Sequence, residues 1–193
     1  MARLSNLLFA AALPACGAPD ARLVVEAESP PKRALFPTYV AQDLDGRTVA
    51  VPGDAHSELT LVVVAFQRWQ QRDVDGWLSR TQPLFADHPN LDYLELPVIR
   101  RMTRPMRWFI DSGMRRGIPD PSKRARVVTL YLDKEEFRSR TNIDREDQVH
   151  LFLVRSGSGE ILWRQSGPVS DSGIEGLSRA LGAESNRTRA ASL

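Results

Sequence analysis

The chain has 193 residues, 42% of them hydrophobic and 26% charged, which is enough to bury the core of one domain and leave tails. Cys16 is its only cysteine, so an intramolecular disulfide and dithiol chemistry within one chain are excluded. The net charge is only +2, but Arg100 to Arg126 holds nine cations against Asp111 and Asp120, so the basic belt is a local feature.

Arg3 precedes a short apolar run, Leu4 to Leu13, and then Pro14, Ala15 and Cys16. A charged start, an apolar middle and a small residue before the cut form the pattern that a signal peptidase needs. Leu13 to Cys16 resembles the lipobox of bacterial lipoprotein signal peptides. The expectation is a signal peptide over 1–15 and acylation of Cys16, with 16–34 as a flexible tether rich in proline and charge. The address implied is the bacterial cell envelope, facing the periplasm or the cell exterior. A cytoplasmic protein is the alternative if residues 1–15 are no signal.

The folded part is expected over 35–182. Phe36 to Pro52 reads as a hairpin, with the turn at Asp45 and Gly46. Thr60 to Phe66 is apolar or β-branched almost without a break, which suits a central strand buried on both faces. Val74, Trp77 and Leu78 then share one side of a helix from about Asp75, which Pro83 should kink or end. The loop between them, Gln67 to Arg72, stands at the carboxyl end of a central strand, where ligands and chemistry usually sit. It carries no nucleophile, metal ligand or phosphate-cradling glycine.

Leu91 to Ile99 alternates as a strand. Met106, Phe109, Ile110 and Gly113 recur at helical spacing opposite Arg104, Arg107, Asp111 and Arg115, predicting an amphipathic helix with a basic outer face. Gly117, Pro119 and Pro121 end it. Val127 to Leu132 reads as a buried strand, Lys134 to Arg140 as a short helix, and Val149 to Arg164 as a second hairpin around Ser156 to Gly159. A last helix is expected at Ile174 to Leu181, and 183–193 as a disordered tail. Strands alternating with helices imply parallel neighbours, and the late hairpin adds antiparallel ones, so the class is α/β with a mixed central sheet and helices on both faces.

That order resembles the thioredoxin-like superfamily, in particular its peroxiredoxin and thiol-disulfide oxidoreductase branch, whose domains open with such a hairpin. On that resemblance Trp69 stands where the motif's tryptophan would be, Gln70 at the first cysteine of Cys-x-x-Cys and Asp73 at the second. The proline expected beside the motif would fall near Val149. A narrower likeness, carried by Ala65 to Trp77 and by Gly159, Ile161, Trp163 and Gly167, is to the mitochondrial ATP synthase assembly-factor family and its bacterial relatives. It implies an assembly role without turnover.

A thiolate is what attacks in thiol redox work, and neither Gln70 nor Asp73 replaces it. His56, His88 and His150 show no ligand spacing and read as structural or surface residues, no serine lies in a strand-to-helix elbow, and no cluster of metal ligands is visible. The expectation is therefore a non-catalytic binding or assembly domain without cofactor, metal or nucleic-acid partner. It would hold a protein, such as a membrane-complex subunit, through Gln67, Arg68, Trp69, Gln70, Gln71, Arg72 and Asp73. The basic surface of Arg100, Arg101, Arg104, Arg107, Arg115 and Arg116 is a second candidate contact. The rival reading is a thiol-dependent oxidoreductase or peroxidase that uses Cys16 between chains.

Overall fold

The computed structural model describes residues 34–53 and 57–191. The expected signal peptide, Cys16, most of the tether and His56 lie outside them.

A two-stranded hairpin opens the fold, with β1 (Tyr39–Gln42) antiparallel to β2 (Thr48–Val51). Gly46 takes φ +84° at its turn, a conformation that glycine adopts without a Cβ clash. Asp43 holds the turn by accepting hydrogen bonds from the Asp45 and Arg47 amides, both at 2.9 Å. Asp45 pairs instead with Arg124 at 2.7 Å.

The main sheet is built on β3 (Leu59–Ala65), β4 (Leu91–Arg100), β5 (Leu130–Leu132), β6 (His150–Arg155) and β7 (Ile161–Ser166), in the order β5-β4-β3-β6-β7. β4 runs parallel to β3, and β5 to β4; β6 is antiparallel to β3 and β7 to β6. The unbroken apolar run thus does occupy the middle of a mixed sheet. Alternation along it feeds two cores. Val62 and Val64 pack with Phe36, Phe66, Phe137 and Phe152, whereas Leu61 and Val63 pack with Trp77, Leu177 and Leu181.

The helices are α1 (Gln71–Asp87), α2 (Arg104–Gly117), α3 (Pro121–Arg124), α4 (Lys134–Thr141) and α5 (Asp171–Ala191). α1 starts four residues earlier than its apolar spacing marks, because a 3-10 turn at Arg68–Gln70 feeds straight into it. Pro83 lies inside α1 and does not end it. The turn before that proline is braced by Thr81, whose hydroxyl donates to the Trp77 carbonyl at 2.9 Å, and the helix closes when the His88 amide donates to the Leu84 carbonyl.

Three further expectations are corrected. Only Leu130–Leu132 of the Val127 run is a strand, because β5 is the sheet's edge and Val127 and Val128 make single bridges, to Glu95 and Asp43. α2 has no buried residue; Met106 and Phe109 of its expected apolar set are exposed, and so is Trp108 beside them. α5 runs on to Ala191 where an unfolded tail was expected. Buried Glu184 holds this extension by pairing with Arg155 and with Arg187 one turn on, and such a partnered charge tolerates burial.

Gly159, Trp163 and Gly167 serve packing. The Phe36 amide donates to the Gly159 carbonyl at 2.7 Å, and Trp77 Nε1 donates to the Gly167 carbonyl at 2.9 Å. Trp163 meets Trp77 edge to face at 6.3 Å, against the bare backbone of Gly176.

Candidate functional site

The carboxyl end of β3 delivers Phe66 and Gln67 into the 3-10 turn and the start of α1. Trp69 to Asp73 thus occupy the junction between the middle strand and its following helix, as the sequence predicts. There the side chains divide sharply. Gln70 is 0% exposed, while Trp69 keeps 59% of its surface open.

Gln70 is a clasp. Its Oε1 accepts from the Phe66 amide at 2.7 Å and the Gln67 amide at 3.0 Å, and its Nε2 donates to the Glu146 carbonyl at 2.8 Å. One buried amide therefore satisfies two orphan donors at a helix start and one carbonyl of the loop before β6, and both of its polar atoms have partners. Glu146 is tied on its other side by Lys134 Nζ at 2.7 Å, and that ammonium also lies 5.4 Å from the Phe66 ring centre. The expectation that Gln70 presents its amide to a partner is corrected, since the side chain is consumed within the fold.

Gln67, Arg68, Trp69, Gln71 and Arg72 are exposed, and Asp73 is half-buried with Arg72 at 3.6 Å. Gln71 reaches one turn forward along α1, its Nε2 donating to Asp75 at 3.0 Å. Beside the junction, His150 is buried, packs edge-on to Phe66 and donates from Nε2 to the Arg145 carbonyl at 2.7 Å. Burial pushes its pKa below the ordinary histidine value. A neutral, internally bonded imidazole is a packing residue, as the sequence suggests. Glu95 lies on β4, and burial raises its carboxyl pKa, with the Gln71 amide opposing.

The basic surface is partly committed. Arg107 donates to the Met102 carbonyl and lies over the Tyr131 ring, and Arg115 donates to the Leu44 carbonyl. Arg100, Arg101, Arg104 and Arg116 are exposed. Among the described residues, no group of three or more His, Cys, Asp or Glu is placed to hold a metal ion, and no helix is long and apolar enough to cross a membrane.

Hairpin, mixed five-stranded sheet and covering helices define a thioredoxin-like fold. BsSco, a member of the Sco family of cytochrome c oxidase assembly proteins, superposes with a TM-score of 0.52 at 15% identity, over 80% of this chain and 96% of that one. The C-terminal domain of a thiol-disulfide oxidoreductase from Bacteroides thetaiotaomicron gives 0.50 at 12% identity, over 78% and 93%. A thiol:disulfide interchange protein from Bacteroides sp. gives 0.44 at 19%, over 69% and 80%. No protein-family model matches the chain, and no curated protein matches it.

Proposed function

We infer that this chain is a redox-inactive thioredoxin-like domain that binds a protein partner in an assembly role, tethered in a bacterial cell envelope through acylated Cys16. The observation that carries the reading is the division of labour at the β3–α1 junction. Gln70 is spent on locking the loop, and Trp69, beside it, is left open. A rigid aromatic flanked by Gln67, Arg68 and Arg72 is a composition favoured at interface anchors, where little side-chain freedom is lost on binding. Ordering is already in place, since Gln70 fixes the backbone on both sides of the tryptophan. An assembly role is compatible with this fold: BsSco, which superposes on it, is described as a member of a family of assembly proteins, although one with a disulfide switch.

The test is a photo-crosslinking amino acid at Trp69, introduced into the full chain in its native membrane. A discrete adduct with a protein, weakened by Arg68→Ala and Arg72→Ala, is the expected result. Absence of any specific adduct refutes the reading. The tether is tested separately by intact mass, where loss of residues 1–15 with added acyl mass supports it and a full-length unmodified chain contradicts it.

A further inference from the structure

A groove of about 700 Å³ runs between the hairpin strand β1, the helix α2 and the edge strand β5. Its floor is a sheet edge. The Arg101 amide donates to the Leu132 carbonyl, and the Val128 amide to Glu95, so these residues turn their main chain toward β4. By strand alternation Thr129 and Tyr131 turn theirs the other way, into the groove. The chain just past β1 meets the chain just before β5 at one isolated bridge, Asp43 to Val128. β5 has no further ladder on that side among the described residues, and the two strands part around the groove.

We propose that this groove receives an extended, acidic segment of a partner protein, which adds as a strand to the β5 edge. Four observations carry it. The space suits a strand, because at about 3.3 Å rise, 4.8 Å strand spacing and 10 Å sheet spacing each residue takes about 160 Å³, giving room for about four. Thr129 lines the groove, is only 5% exposed, and its hydroxyl has no hydrogen-bond partner, a buried polar group of the kind that an occupant satisfies. Trp108 on the α2 wall is 71% exposed and Val40 on the β1 wall equally so, offering apolar contacts to alternate side chains of an added strand.

Charge selects the fourth feature of the occupant. Arg104, Arg107 and Arg115 line the groove against Asp43 and Asp111. Both carboxylates are already engaged, Asp43 by the turn amides and Asp111 by the Tyr131 hydroxyl at 2.7 Å. Arg100 and Arg101 lead into the same helix. Three arginines against two carboxylates leave the lining with one positive charge in excess, since the neutral partners of these groups do not cancel their charges. Arg100 and Arg101 add to a field that is positive. This groove shares no residue with the loop at Gln67 to Asp73, so it stands or falls independently of that loop.

The experiment uses the full chain and fluorescein-labelled decapeptides read by anisotropy: alternating glutamate and valine, alternating lysine and valine, and the glutamate peptide with every second amide N-methylated. Saturable binding of the first alone is expected, with slowed amide exchange at Thr129 and Tyr131, whose main chain faces the groove, and not at Leu130 or Leu132. Binding should weaken about tenfold in the exposed-site variant Arg104→Glu with Trp108→Ala, and at raised salt, as rim charges and an apolar anchor are lost. Circular dichroism of that variant checks its fold. The proposal is overturned if the glutamate peptide does not bind, if N-methylation or the double substitution leaves binding unchanged, or if the lysine peptide binds equally. Sedimentation with phosphatidylglycerol vesicles, dependent on Arg104 and Trp108 and without peptide binding, reassigns the surface to a bilayer and likewise overturns it.

Discussion

The Gln70 side-chain amide donates to the Glu146 carbonyl at 2.8 Å across a sequence separation of 76 residues. That bond joins the start of α1 to the loop before β6. On the resemblance drawn from the sequence, Gln70 stands where a reactive thiol would, so its amide fixes the junction that a thiol would have to leave open.

Replacing Gln70 by alanine removes all three bonds and leaves the Phe66 amide and the Glu146 carbonyl unpaired in a buried place. A loss of about 3 kcal/mol is expected, since each orphaned buried group costs roughly 1–3 kcal/mol. Urea denaturation checks it. Gln70→Glu keeps the acceptor but turns an oxygen toward the Glu146 carbonyl; its stability should recover as pH falls and the carboxyl becomes a donor.

Trp69 and Arg72 predict the opposite behaviour. Both are exposed, so Trp69→Ala and Arg72→Ala should change unfolding free energy by less than about 0.5 kcal/mol. The same substitutions should reduce recovery of the partner crosslinked from neighbouring Arg68. A variant that unfolds easily would show that Trp69 belongs to the core after all.

His150 sets a pH dependence. Its folded pKa lies below the ordinary value of 6.5 because of burial, so below that value the unfolded chain binds the proton more readily. Its contribution to stability is complete above about pH 6.5 and is lost as pH falls through the folded pKa. The difference between the parent and His150→Phe, followed by denaturation from pH 8 to pH 4, should grow in that direction only. Glu95, whose carboxyl pKa is raised by burial, acts with the opposite sign and is common to both proteins.

Two glycines separate crowding from entropy. A Cβ on Gly173 would lie 2.5 Å from Cη2 of fully buried Trp77, whereas one on Gly113 meets nothing within 4 Å. Gly173→Ala should destabilise by about 1–3 kcal/mol through overpacking. Gly113→Ala, in the exposed middle of α2, should stabilise by up to about 1 kcal/mol. Thermal denaturation of the pair reads both signs.

The central strand, the order of elements and the place of Trp69 to Asp73 were legible because long apolar runs and helical spacing depend on local residues. The fate of Gln70 was not, because its third bond comes from Glu146, far along the chain. Nothing in α2 distinguished its inner side from its outer one: Met106 and Phe109 have the spacing of a core face, but the hairpin and β5 engage Arg107, Asp111 and Arg115 instead. The end of α5 was hidden for a similar reason, since its polar residues are held by Arg155 on β6. The Thr129 hydroxyl and the groove at β5 had no signal in the sequence.

Redox inactivity is the centre of the account, and turnover tests it most directly. The full-length reduced chain should neither accelerate insulin reduction by dithiothreitol nor consume hydrogen peroxide above the buffer rate. Turnover that is abolished by Cys16→Ser would contradict the account and reinstate a thiol enzyme working between chains.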